Sequence, residues 1–170
     1  FWRLCDKHRV KGLFTSPTAL RAIRKEDPEG KHIKAANLSN LKTLSTSGER
    51  LDTITYDWTQ SMMPKSCILT EAYGQTESGW FISTNYANLH TFTMKAGVSG
   101  KPSPGMNIVV LGEDGKPVPN NTTGAVCLKH PLPPGFAATL NNNDEGFVEK
   151  YMSKFPGHYT TEDLGYLDNE

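Results

Sequence analysis

The 170-residue sequence has no excess charge of either sign, because its eighteen Lys and Arg residues balance eighteen Asp and Glu. Without a net field to gather phosphate backbones or anionic headgroups, nucleic acid and membrane surfaces are disfavoured as partners. No apolar run is long enough to cross a bilayer, so no membrane span is expected. Cysteine is scarce. Cys5, Cys67 and Cys127 are odd in number, far apart and each next to an apolar neighbour, which suits buried, reduced thiols in an intracellular protein and implies no disulfide framework. His8, His32, His90, His130 and His158 never fall at a ligand spacing, so a metal held by imidazole or thiolate is not expected. The chain also lacks an initial methionine and a signal-like leader, and it stops at Asp168, Asn169 and Glu170 just after a strand-like stretch. It reads as a piece of a longer intracellular protein, of the cytoplasm or the mitochondrial matrix. Two generic nucleotide and acyl-transfer signatures are missing as well. Gly100 and Lys101 are followed by Pro102 and have Lys95 where a Walker loop needs its first glycine, and no serine stands between two glycines as in a nucleophile elbow.

What is present divides near residue 95. In residues 1–95 apolar clusters alternate with helical periodicity. Phe1, Leu4, Cys5 and His8 share one helical face, and Gly12 to Phe14 make a short strand. Ser16 before Pro17 resembles an N-cap with proline at the first helical position, predicting a helix over Thr18 to Lys25 that breaks at Asp27, Pro28 and Gly30. The pattern recurs: Leu41 to Leu44 as a strand, Asp52 opening a helix through Tyr56, Trp58 and Met62, then Cys67 to Leu69 as the next strand. Strand, helix, strand, helix, strand is the pattern of a parallel sheet with right-handed crossovers. Residues 96–170 change to glycine, proline and alternation. Strands are expected at Asn107 to Leu111 and Ala125 to Lys129, with an Asp-Gly hairpin signal at Glu113 to Lys116. A helix is expected from Asp144 to Met152, and Gly157 to Asp168 reads as strand, turn, strand. The fold class is therefore α/β, a parallel βαβ segment followed by a largely antiparallel, barrel-like β segment.

In open parallel sheets, ligands bind beyond the carboxyl ends of the strands. Three loops occupy that place, Thr15 to Thr18, Thr46 to Arg50 and Glu71 to Ser78, all rich in hydroxyl residues and glycine. The plain alternative is that Ser, Thr and Gly simply make good turns.

A family resemblance favours the functional alternative. TSPTALRAI, TSGERLD, AYGQTESG, GVSGKPSPGMNIVVL, PLPPG and FPGHYTTEDLGYLD stand in the order of the middle motifs of the AMP-forming acyl-CoA synthetases, and cover the chain nearly end to end. The last two most resemble the short-chain branch, which includes acetyl- and propionyl-CoA synthetases. The resemblance implies part of the large N-terminal domain of an adenylate-forming ligase. There a carboxylic acid attacks the α-phosphate of ATP to give acyl-AMP and pyrophosphate, and coenzyme A then displaces AMP. It implies that Gly48, Glu49 and Arg50 line the adenine slot, that Tyr73 stacks on the purine, and that the backbone around Glu71 and Ala72 reads its edge, within a nucleotide-binding stretch that runs on through Gly74 and Gln75. By the same resemblance Thr76 contacts the α-phosphate, Glu77 holds Mg2+, Asp163 accepts the ribose hydroxyls, Ser47 and Gly74 line the acyl pocket, and Ser16 lies along the pantetheine channel. The phosphate loop, the hinge and the small C-terminal domain with its lysine lie outside these residues, so the chain alone is expected to complete neither half-reaction.

Three positions depart from the pattern. Gly74 stands where the acetyl and propionyl enzymes usually place tryptophan, which implies a pocket longer than acetate needs. Glu162 replaces the glycine that usually precedes the ribose aspartate, and Asn141 replaces a commonly aromatic position. Glu162 is the best argument for a different reading, a non-catalytic nucleotide-binding or scaffolding derivative. A third reading is an adenylation domain that loads a carrier protein.

Overall fold

A computed structural model describes residues 1–86 and 94–169, leaving His90 outside the described residues. These residues form two compact units, Phe1–Gly74 with Ser83–Lys101 and Gln75–Ile82 with Pro102–Glu170.

In the first unit, α1 (Trp2–Lys7), β1 (Gly12–Thr15), α2 (Pro17–Glu26), α3 (Lys31–Lys34), β2 (Thr43–Thr46), α4 (Thr53–Met62) and β3 (Ile68–Glu71) follow in sequence. The strands form a parallel sheet in the order β1-β2-β3, as the alternation of strands and helices predicts. Local signals set the helix starts. The Ser16 side chain accepts a bond from the Ala19 N–H with Pro17 at the first helical position, and Asp52 accepts from the Thr55 N–H at the start of α4. Asp27 ends α2, and its carboxylate then accepts from the Lys31 and His32 N–H groups, both at 2.8 Å, to start the short α3 that the sequence reading missed. The core joins Leu44 and Leu69 of the sheet to Leu20 of α2 and Tyr56 of α4, with Trp2 and Cys5 beneath them. Each fully buried leucine is worth about 1.5–3 kcal/mol of transfer free energy. The buried stripe of α1 differs from the expected one. Trp2 and Cys5 turn inward while Phe1 and Leu4 stay exposed, because the indole carries the most apolar surface on this short helix.

Register decides where the loops lie. Thr15 pairs with Thr46 and Thr46 with Glu71, so the three strands end level and Ser16, Ser47 and Ala72 leave from one sheet edge. Two short strands, β4 (Tyr73–Gly74) and β5 (Phe81–Thr84), flank a 3-10 turn at Thr76–Ser78, and β6 is Lys101–Pro102.

In the second unit, β7 (Ile108–Leu111), β8 (Gly124–Lys129), α5 (Asp144–Tyr151) and β9 (His158–Gly165) build an antiparallel sheet in the order β7-β8-β9 with one helix. The Asp-Gly signal is a real turn: Gly115 has φ +74 and the Gly112 N–H donates to the Lys116 carbonyl at 2.9 Å. The strand, turn, strand expected over 157–168 is instead one strand, β9, carrying a bulge. Cys127 pairs with Thr160 and Ala125 with Leu164, so three residues, Thr161, Glu162 and Asp163, face the single residue Val126. The surplus is absorbed by a left-handed residue, Glu162 at φ +67. A left-handed conformation costs a non-glycine residue about 1–2 kcal/mol, and glycine gives back roughly 0.5–1 kcal/mol of that as unfolded-state entropy. Glu162→Gly is accordingly expected to stabilise the chain by about 0.5–1 kcal/mol, read as a higher urea midpoint at unchanged slope. A lower midpoint would place the strain elsewhere.

Candidate functional site

In the first unit the predicted residues gather at the sheet edge. Glu49 is held from two sides: the Thr18 backbone N–H donates to it at 3.0 Å, the Thr18 hydroxyl makes a second, short bond, and Arg21 pairs with it at 2.5 Å. The Thr18 hydroxyl, followed by Arg21, holds the Glu49 carboxyl below its ordinary range. Its carboxylate therefore ties the loop after β2 to the first turns of α2. Sequence reading placed Thr18 in a candidate loop but missed Arg21 and the pairing of both with Glu49, to which no local spacing points, since they lie 31 and 28 residues away. Gly48 has φ +94, and a Cβ added there would meet nothing within 4 Å. Its glycine is required by backbone conformation, and its surface is open for a flat group to approach. The exposed Arg50 lies against Gly97, whose added Cβ would sit 2.5 Å from the guanidinium.

Glu71 ends β3 and is buried, at 4% exposure. The N–H groups of Leu51 and Gly97 donate to its carboxylate and Arg50 lies near it, while Oε2 is buried without a hydrogen-bond partner. Burial outweighs those favourable contacts and pushes its pKa above 4.5. The neighbouring Ala72 is buried, and its N–H donates to the Thr46 carbonyl at 2.7 Å. Ser47, Tyr73 and Gly74 are half-buried. Ser16 is exposed; its oxygen accepts from Ala19, which leaves its O–H proton able to donate.

In the second unit three stretches remote in sequence meet. The Ala137 N–H, just after PLPPG, donates to the Glu77 carbonyl at 2.7 Å, and a Cβ on Gly79 would lie 2.1 Å from the Gly135 carbonyl. The Gln75 Nε2 donates to the Thr161 carbonyl at 2.5 Å and to Asp163 Oδ2 at 3.1 Å, joining QTESG to the β9 bulge. The Tyr151 hydroxyl donates to Glu77 Oε1 at 2.6 Å. That bond, with the Glu77 N–H and the nearby Lys150, holds the Glu77 carboxyl below 4.5 and so ionised at neutral pH. Tyr151 stacks on Tyr159 at 5.1 Å, and the Tyr159 hydroxyl donates to Gln75 Oε1 at 3.1 Å. Thr76, Glu162 and Asp163 are exposed. Sequence reading missed Tyr151 and Tyr159, which lie 74 and 84 residues from their partners.

The family model described as AMP-binding enzyme matches residues 1–134. The chain is 39% identical over 168 residues to an acyl-CoA synthetase short-chain family member B, mitochondrial, of Dictyostelium discoideum, covering 99% of this chain and 24% of that protein. It is 37% identical over 171 residues to the human acyl-CoA synthetase short-chain family member 3, mitochondrial, covering 100% of this chain and 25% of that protein. It is 34% identical over 172 residues to a propionate–CoA ligase of Salmonella typhimurium, covering 100% of this chain and 27% of that protein. The chain thus spans about a quarter of the length of the curated relatives it matches.

The buried Glu71 makes a pH prediction. Its folded pKa lies above 4.5, so the folded state holds the proton more tightly. The stability tied to that proton is fully present below the unfolded pKa and is lost as pH rises through the folded value. Glu71→Gln, which keeps the shape without the charge, should match the parent near pH 4 and exceed it increasingly toward pH 8. Urea midpoints of both proteins across that range check this, and a constant difference would contradict it.

Proposed function

The chain belongs to the AMP-binding enzyme family, and from that premise we propose that the full-length protein is an ATP-dependent carboxylic acid:CoA ligase. It forms acyl-AMP and pyrophosphate from a short- to medium-chain acid and ATP, then acyl-CoA and AMP. The single observation that most supports this is the Gln75 carboxamide binding both Thr161 and Asp163, which unites the two motifs that would hold phosphate and ribose. The names of the relatives, acyl-CoA synthetase and propionate–CoA ligase, favour the same reaction, and two of those names carry the word mitochondrial, which favours the mitochondrial matrix. Among the described residues no helix is long and apolar enough to cross a membrane.

Each side chain has a distinct part. Tyr73 stacks on adenine while the open backbone at Gly48 and the main chain at Glu71 and Ala72 meet its faces and edge. Glu49, already engaged by Thr18 and Arg21, holds that loop in shape, and Arg50 helps fix it from the other side. Thr76 donates its hydroxyl to the α-phosphate, where negative charge grows as the acid attacks. Asp163 accepts from the ribose hydroxyls. Ser16 offers its remaining proton along the channel for the CoA arm.

Glu77 fits Mg2+ in chemistry: it is a hard oxygen donor kept ionised by Tyr151. One carboxylate together with substrate phosphates is an ordinary ligand set for this cation. When bound, it would neutralise phosphate charge.

Ser47 and Gly74 line the acyl pocket, and the missing indole at Gly74 leaves room beyond two carbons. A methylene in an apolar pocket is worth about 0.8 kcal/mol, so each added carbon should raise kcat/KM about three- to fourfold until the pocket is full. The test is carboxylate-dependent exchange of pyrophosphate into ATP, and CoA-dependent AMP release, with acetate, propionate, butyrate and hexanoate. The full-length parent should prefer the longer acids and Gly74→Trp should reverse the order. No exchange with any acid would overturn the ligase reading. A parent that prefers acetate would overturn only the assignment of chain length to Gly74.

A further inference from the structure

Gln75 has more bonds than a turn residue needs. Its N–H donates to Ser78 Oγ at 3.1 Å and its carbonyl accepts from the same hydroxyl at 2.7 Å, which locks its main chain at the start of the 3-10 turn. Its side chain then reaches β9. Two acceptors, the Thr161 carbonyl and Asp163 Oδ2, lie on one side of the carboxamide, so the NH2 must face them. Oε1 consequently faces the Tyr159 hydroxyl, which donates to it. Tyr159 itself is fully buried, stacked on Tyr151 and touched edge-on by Phe136 at 4.9 Å, so the group that orients the carboxamide cannot drift.

The geometry points to Gln75 as a positioning residue for Asp163, acting through its side chain rather than by touching the nucleotide. This goes beyond the motif's general assignment to the nucleotide and rests on the proposed function only for what Asp163 holds. Asp163 is exposed and follows a left-handed residue in a bulge, and the Gln75 NH2 spans the bulge from the Thr161 carbonyl to the Asp163 carboxylate. One Nε2 hydrogen fixes the bulge carbonyl and the other fixes the carboxylate plane, so the ordering needed to grip a vicinal diol is in place before the ligand arrives.

The experiment is a double-mutant cycle in the full-length protein, with kcat, KM for ATP, KM for the acid and Tm measured for each variant. Gln75→Met keeps the length and removes the donors. It should raise KM for ATP about tenfold, the size of one bond to a charged group, and leave KM for the acid unchanged. Gln75→Glu should be worse, because a carboxylate then faces two acceptors. In an Asp163→Ala background Gln75→Met should add nothing to KM for ATP. Tyr159→Phe, which deletes only the orienting hydroxyl, should raise KM for ATP a few-fold and answers the question if Gln75→Met does not fold.

Additive effects on KM, or a lowered Tm and kcat with KM for ATP unchanged in Gln75→Met and Tyr159→Phe, would overturn the positioning role and leave the ligase reading intact. If Asp163→Ala itself leaves KM for ATP unchanged, the ribose assignment falls and the positioning role with it.

Discussion

Where β9 passes Val126 it carries three residues against one, and the backbone groups released from the ladder have to be paired by something else. Side chains pair three of them. The Thr161 hydroxyl donates to the Val126 carbonyl at 2.8 Å and accepts from the Asp163 N–H at 3.2 Å. The Thr161 carbonyl takes a hydrogen from Gln75. The Thr161 hydroxyl serves as donor in one bond and acceptor in another, the Gln75 NH2 donates in the third, and Asp163 stays at the surface of an ordered bend. A regular strand in the same place would alternate its side chains between faces and give Asp163 no such support. The bulge is thus the feature on which the second unit's polar arrangement depends.

The first unit meets a different constraint with the opposite solution. Three parallel strands ending level leave three polar loops side by side, and carboxylates anchor them. Glu49 does so at the surface, where Thr18 and Arg21 favour its charged form. Glu71 does so from within, where burial disfavours that form even though two N–H groups and Arg50 face it. Both acids fix a loop, but they respond to pH in opposite directions. The partly unsatisfied one lies against the main chain proposed to read a base edge. Functional strand ends are where such uncompensated burial is expected.

Features encoded within a few residues were legible in the sequence. Ser16 with Pro17 and Asp52 announce helix starts because an N-cap and its acceptor are three residues apart. The parallel half followed from alternation of short apolar runs, and the turn at Glu113 to Lys116 from Asp-Gly. The order of motifs identified the family. Pairings between distant residues were not legible. Nothing in QTESG indicates that Gln75 reaches a residue 88 positions away, or that Glu77 is met by a tyrosine from α5. The bulge was concealed for a further reason: its left-handed residue is a glutamate, so TTEDLG reads as strand and turn rather than as a continuous, kinked strand. Burial of Glu71 was hidden because an acid at a strand end looks like a surface residue.

Glu162 repays closer argument, since it is the departure that most favoured a non-catalytic reading. On sequence grounds its cost is a like charge beside Asp163. Both side chains are exposed, and two unit charges 4 Å apart in water repel by only about 1 kcal/mol, less with salt. Lys150, on the adjoining α5, offsets part of that charge. The backbone cost is of similar or greater size, is not screened, and arises from φ +67 whatever the side chain carries. The bulge nevertheless forms with glutamate in that position, the Thr161 carbonyl and Asp163 carboxylate both held by Gln75. The substitution therefore bears on the stability of the bend and does not remove the carboxylate or its partner, so the arrangement proposed to hold ribose is compatible with either residue.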